Sequence, residues 1–204
     1  MIEISHLNLY FSNENIFNNF SLFIKRGEKI ALTGESGKGK TTLLNLLAGF
    51  IPDYKGIVNV FGKSLNAENV SEIRKDIAWL PQDTSLAVKT VKELFYAPFE
   101  FEANKKMKPE NNKLTEIFKE FELSEKLLDK KINEISGGQK QRIMLASCFL
   151  LKKSLLLIDE PTSALDEKVK KKITDYILNQ KNLTVVAATH DDYWIKKSDK
   201  IVEL

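Results

Sequence analysis

The chain has a single cysteine, Cys148, only three arginines and no long apolar run, and each scarcity removes a class of protein. One thiol excludes an internal disulfide framework, and with Leu145, Phe149 and Leu150 as neighbours Cys148 is expected to be a buried thiol rather than a nucleophile. Arg26, Arg74 and Arg142 are too scattered to form the clustered basic face that nucleic acid requires, and 31 basic against 28 acidic residues leave a net charge of only +3. No nucleic-acid partner is expected. The lysine runs at 105–108, 168–172 and 196–200 read as solvated faces. The longest apolar stretch, Ile143 to Leu151, is nine residues long, whereas a membrane-spanning helix needs about 20. The opening MIEISHLNLYF has no basic segment and no cleavage site, so a cytosolic chain is expected, and any membrane role would come through a partner.

What is present is an alternation of apolar runs and turn signals over 204 residues, 43% of them hydrophobic, enough for one domain with a subdomain insertion. MIEISHLNLYF and FSLFIKRGE alternate like two strands around the polar turn SNEN, KIALTG is a short strand, and KTTLLNLLAG is a helix stopped by Gly49. KGIVNVFGK and DIAWLPQD read as further strands. From about 90 to 131 the strand character fades and Leu114, Ile117, Phe118 and Phe121 fall at helical spacing, which predicts a helical insertion. Strands return at SLLLIDE, LTVVAATH and DKIVEL, with a helix over EKVKKKITDYILNQ. Apolar runs this continuous suit parallel strands covered on both faces, so the class is α/β.

Residues Gly34 to Thr41 match G-x-x-x-x-G-K-[ST] between a strand and a helix, the context a phosphate-binding loop requires. Gly34, Gly37 and Gly39 let successive N–H groups turn inward toward the positive end of the following helix. Lys40 would neutralise β- and γ-phosphate charge, Thr41 would place its hydroxyl on Mg²⁺, and Thr42 would reach the α-phosphate. Ser36 belongs to the same loop, and Lys38 adds a second cation that either strengthens binding or points to solvent. LLLIDEP, at 155–161, ends a hydrophobic strand in two carboxylates that project in opposite directions. Asp159 would face the metal's water shell, and Glu160 is the candidate general base. His190, at the carboxyl end of VVAATH, is either a structural histidine or a hydrogen-bond partner for the γ-phosphate or an attacking water.

A second glycine pair, Ser136-Gly137-Gly138-Gln139, opens the helical stretch KQRIMLASCFLLKK with Ser136 as the expected cap, and so forms another helix-start anion site. One nucleotide already occupies one phosphate loop. The second surface is best used on the nucleotide of another subunit.

With these residues the sequence resembles the ATP-binding cassette (ABC) ATPases along nearly its whole length: Phe11, the loop 34–41, Gln82 in LPQD, SGGQ, LLLIDE, SALD at 163–166, and His190, in that order. The resemblance implies a P-loop NTPase core of the RecA-like type, with a mostly parallel sheet, an N-terminal antiparallel β part and an inserted α-helical subdomain. Residues 1–84 and 151–204 would form the nucleotide-binding core and 85–150 the insertion with its signature motif. It implies ATP and Mg²⁺ as ligands, hydrolysis with Glu160 as base, and a head-to-tail homodimer in which Ser136, Gly137, Gly138 and Gln139 act on the partner's ATP. Asp166 would bridge the halves. Gln82 would touch Mg²⁺ or water and relay the γ-phosphate's presence to the insertion. Phe11 either stacks on adenine or is a buried strand aromatic beside Tyr10. The family implies separate transmembrane permease subunits, which choose the cargo, and a place on the cytoplasmic face of the membrane. Phe95, Tyr96, Phe99 and Phe101 would be either a docking patch for such a subunit or the insertion's own core. A soluble ABC ATPase working on DNA or ribosomes is the alternative. A small-molecule P-loop kinase would have no use for SGGQ or SALD.

Overall fold

A computed structural model describes residues 1–11, 14–82 and 87–204. Strands β1 (Ile2–Phe11) and β2 (Glu14–Ile24) alternate apolar and polar residues and pair antiparallel, with Ile2 opposite Ile24 and Leu9 opposite Phe17. The chain then enters β3 (Lys29–Thr33), passes the phosphate loop and continues as α1 (Lys40–Leu47), whose four leucines are all buried. Gly49, at φ 77°, ends that helix in the left-handed region. β4 (Lys55–Val60) and β5 (Lys63–Ser64) complete an antiparallel sheet ordered β2-β1-β4-β5, and α2 (Val70–Arg74) leads into β6 (Ile77–Leu80).

No strand interrupts the described residues between β6 and residue 150. There α3 (Val91–Tyr96), α4 (Asn111–Glu120) and α5 (Gly137–Leu150) are linked by short 3₁₀ turns. The expected spacing holds in α4, which buries Leu114, Ile117 and Phe118, with Phe121 buried just beyond it. Phe95 and Phe99 are buried in the core, Tyr96 is half-buried and packs edge-on against Phe95 at 4.9 Å, and Phe101 remains 68% exposed.

β7 (Leu155–Asp159), α6 (Glu167–Leu178), β8 (Thr184–Ala188), α7 (Asp192–Lys197) and β9 (Lys200–Glu203) finish the chain. The second sheet, ordered β6-β7-β8-β3-β9, is parallel at every pairing. Alternation sorts its side chains into two cores. Leu155, Leu157, Val186, Ala188, Ile30 and Leu32 pack toward α1, α2 and the antiparallel sheet. Leu156, Ile158, Val185, Ala187 and Ala31 pack toward the helices from α3 to α7. Each fully buried side chain of this size contributes about 1.5–3 kcal/mol, and the sheet collects it on both faces.

Cys148, Lys29 and Lys153 are among the buried side chains that depart from simple apolar packing. Cys148 is buried and its thiol is pushed up to about 12 by that burial, as suits a structural cysteine. Lys29 donates to the carbonyls of Gly27 (2.7 Å), Gln180 (2.9 Å) and Leu183, stitching the start of β3 to the turn before β8. Lys153 donates to the Lys75 carbonyl and to Asn104 Oδ1, both at 2.6 Å. Burial lowers the pKa of both lysines. Among the described residues no helix is long and apolar enough to cross a membrane.

Candidate active site

The phosphate loop owes its shape to glycines that nothing else could replace. Gly39, the residue before α1, has φ 94°, and a Cβ there would lie 2.7 Å from Ile16 Cγ2 on β2. Gly34 has φ 130°, and a Cβ would lie 2.5 Å from the Leu204 carbonyl. Close contact on both sides packs the loop between the antiparallel sheet and the end of β9. Lys40 Nζ donates to the carbonyls of Gly34 (2.7 Å) and Glu35 (2.9 Å), which holds the ammonium across the loop.

Asp159 is the last residue of β7 and Glu160 the first beyond it, and both line one cavity. Asp159 is 4% exposed and accepts a 2.6 Å hydrogen bond from the Thr41 hydroxyl of α1. Glu160 turns away with φ 50°, a left-handed conformation in a residue other than glycine, and its Oε1 lies 3.7 Å from His190 Nε2. Burial raises the pKa of both carboxylates. For Asp159 the Thr41 hydrogen bond and the Lys40 charge oppose the rise, and for Glu160 the His190 charge opposes it while Asp159 adds to it. A carboxylate poised above its ordinary range, next to an imidazole and open to a cleft, has the properties a general base needs.

A cavity of about 400 Å³ gathers these groups: Ser36, Gly37, Gly39, Lys40, Thr41, Thr42, Gln82, Asp159, Glu160 and His190, together with Ser163. Gln82 reaches the cavity wall, and residues 83–86, which follow it, lie outside the described residues. The Phe11 side chain also lies outside them, although Phe11 ends β1 opposite Glu14. Tyr10 is 59% exposed. Lys38 is exposed and is not among the residues lining the cavity.

The second glycine pair is not part of this cavity. Ser136 caps α5 as expected, and with Gln139 it forms a reciprocal box: Gln139 N donates to Ser136 Oγ at 3.1 Å and Ser136 N to Gln139 Oε1 at 3.0 Å. Gly137 lines a smaller neighbouring cleft that also touches Gln82 and Asp159, and its α-carbon faces open space. Asp166 likewise stays away from the phosphate cavity and caps α6 by accepting from Val169 N at 3.1 Å.

Sequence reasoning missed Ser163, on the cavity wall, and Gln141, whose side chain reaches the Glu160 main chain. It also missed Asp191, which caps α7 and accepts from Thr162 Oγ1 at 2.8 Å. The only available signal was an Asp directly after His190 and ahead of an apolar turn, an N-cap pattern.

A profile of the ABC transporter family matches residues 17–163. The thiamine import ATP-binding protein ThiQ of Histophilus somni is 37% identical over 203 residues, spanning 97% of this chain and 93% of that protein. The probable iron export ATP-binding protein FetA of Escherichia coli is 29% identical and spans 100% of this chain and 91% of that protein. Among solved structures, the dimeric cassette MJ0796 in a post-hydrolysis state bound to ADP and Pi matches with a TM-score of 0.83 at 27% identity, over 100% of this chain and 94% of that one.

Proposed function

This chain belongs to the ABC transporter family and is one of its ATP-hydrolysing subunits, and from that premise we propose that it works as a head-to-tail dimer driving separate transmembrane subunits. One observation carries the reading of the site: the phosphate loop, the Thr41–Asp159 pair and the Glu160–His190 pair converge on a single cavity. The loop amides and Lys40 would hold the β- and γ-phosphates and Thr42 the α-phosphate. Glu160 would take the proton of a water as its oxygen attacks the γ-phosphorus, while the bond to the bridging oxygen breaks and ADP leaves with the electron pair. His190 and Gln82 would orient that water. Phe11 is proposed as the adenine contact.

The donor set fits Mg²⁺. Thr41 and Asp159 offer two hard oxygens already in contact, and among the described residues no group of three or more His, Cys, Asp or Glu forms a dedicated metal cage. An ion that keeps its waters and binds through one or two protein oxygens and phosphate needs no more than this. When bound, Mg²⁺ supplies neutralisation of charge on the phosphates.

Ser136, Gly137, Gly138 and Gln139 are assigned to the partner's ATP, and Asp166 to the seam between the halves. Support comes from their absence from the walls of this chain's own phosphate cavity, from the open space at Gly137 and from the dimeric form of the MJ0796 cassette. A groove of about 430 Å³ between β6 and the inserted helices, walled by Trp79, Leu94, Pro98, Phe101 and Met144, is assigned to the transmembrane partner. That partnership would hold the protein on the cytoplasmic face of the membrane.

Glu160→Gln tests the core of this reading, because the amide preserves shape and removes basicity. Turnover should fall by about 10²–10⁴-fold while ATP still binds and a dimer accumulates. Near-normal hydrolysis by the variant would overturn it.

A further inference from the structure

The Glu160 carboxylate is aimed by a backbone conformation that a glutamate rarely adopts, at φ 50°. Both main-chain polar groups of that residue are tied down. Its N–H donates to the Ala188 carbonyl on β8 at 2.9 Å, and its carbonyl accepts from Gln141 Nε2 on α5 at 2.7 Å. The same Gln141 carboxamide accepts from Ala164 N at 3.1 Å through Oε1 and approaches Ser163 Oγ at 3.4 Å through Nε2. Ser163 Oγ itself donates to the Glu160 carbonyl at 3.2 Å. One planar amide thus clasps both ends of the five-residue turn from Glu160 to Ala164. Its orientation follows from its partners: the NH₂ faces a carbonyl and the oxygen faces an N–H.

We propose that Gln141 is a positioning residue for ATP hydrolysis, holding the Glu160–Ala164 turn so that the Glu160 carboxylate faces the phosphate cavity. The proposal rests on Glu160 being the base. Gln141 itself is absent from the cavity wall, so it acts on the reaction through Glu160. α5 does not depend on this contact for its own place. Arg142 donates to the carbonyls of Phe121 (3.1 Å) and Glu122 (2.7 Å), and Ser147 donates to the buried Phe95 carbonyl at 2.7 Å. Losing the carboxamide therefore removes the tie between the turn and α5 and leaves the helix seated, while Glu160 N–H stays on the Ala188 carbonyl and Thr162 Oγ1 on Asp191. Gln141 also lies one helical turn from Ser136-Gly137-Gly138, so whatever the start of α5 meets is linked through one side chain to the chain's own Glu160.

The test uses the full chain and four proteins: Gln141→Met, which keeps length and loses the amide, Gln141→Glu, Glu160→Gln and the Gln141→Met/Glu160→Gln double variant. Misplacing a reacting group by about 1 Å costs on the order of 10²-fold in rate. Gln141→Met should therefore lose about ten- to a hundredfold in kcat with the ATP dissociation constant unchanged within about twofold. Gln141→Glu should lose at least as much, since an anionic oxygen would face the Glu160 carbonyl. In the Glu160→Gln background, Gln141→Met should remove nothing further from the residual rate, because the group it positions is already gone. A normal kcat in Gln141→Met with an inactive Glu160→Gln overturns the inference and leaves the base intact. An equal multiplicative loss in both backgrounds overturns it too, as a general structural defect. Normal turnover in Glu160→Gln removes the base assignment on which the inference stands. Should Gln141→Met fail to fold, Gln141→Glu, alone and combined with Glu160→Gln, carries the same comparison.

Discussion

Alanine at Gly137 and at Gly138 should push stability in opposite directions, although the two glycines are adjacent and both open α5. At Gly137 an added Cβ meets nothing within 4 Å, so the substitution only removes chain entropy from the unfolded state. In the first turn of a helix that is worth about 0.5 kcal/mol, below the full Gly-to-Ala difference of about 1 kcal/mol. At Gly138 the Cβ would lie 2.6 Å from the Ala164 carbonyl oxygen, and Ala164 cannot yield freely because its N–H is held by Gln141. Overpacking of this kind costs about 1–3 kcal/mol, so the net change is a loss of about 1–2 kcal/mol. For a chain of this size each kcal/mol moves the melting temperature by about 2–4 °C. Calorimetry without nucleotide should show Gly137→Ala melting about 1–2 °C higher and Gly138→Ala about 2–8 °C lower. If Gly138→Ala is as stable as Gly137→Ala, the contact between α5 and residue 164 is not what the geometry says. The same contrast selects the probe for the partner's phosphate. Gly137→Asp should leave ATP binding by the isolated chain intact and block dimer closure. A carboxylate at 138 would first disturb its own chain.

Cys148, with its thiol near 12, should resist a thiol reagent at pH 8 in the folded protein and react within seconds once unfolded; rapid labelling of the native protein would contradict its burial. Glu160 must be ionised to accept a proton and burial raises its pKa, so the acid limb of kcat should have its midpoint above the ordinary glutamate value of 4.5, and a limb below that value would argue against Glu160 as the base. Lys29→Met should remove the ammonium donor from three carbonyls, of which Gln180 keeps Leu183 N–H, and lower the urea midpoint, by about 2–3 kcal/mol of stability. A more stable Lys29→Met protein would show that burying the ammonium costs more than its hydrogen bonds return.

The parallel sheet, the phosphate loop and the paired carboxylates were legible because each is a local pattern: continuous apolar runs, fixed glycine spacing, a strand ending in Asp-Glu. Features that depend on distant partners were not. Lys29 and Lys153 look like solvated charges in sequence, since the carbonyls that bury Lys29 include one 151 residues away. Gln141 reads as one more polar residue on a helix until Glu160 and Ala164 fold back onto it. The four aromatics between 95 and 101 fit a surface patch or a core equally well by composition, and only packing against Phe118 separates buried Phe95 from exposed Phe101. The one-and-a-half-turn helix α7 escaped because six residues carry too little periodicity.

The pairing of Thr41 with Asp159 also bears on how β7 threads into the sheet. Leu155, Leu156, Leu157 and Ile158 are nearly interchangeable, and both faces they serve are apolar, so sliding the strand by one residue would swap one core's leucines for the other's at little cost. Hydrophobic burial alone therefore leaves the register degenerate. The slide becomes expensive at the two ends: Lys153 would leave the Lys75 carbonyl and Asn104, and a carboxylate would be drawn into the place of fully buried Ile158 without the Thr41 hydroxyl to receive it. A residue assigned to metal and phosphate chemistry thus doubles as the index mark for strand alignment. Substitutions at Asp159 should accordingly be read for misthreading during folding as well as for lost turnover, with Asp159→Asn, which keeps the shape and the hydrogen bond, as the variant that separates the two.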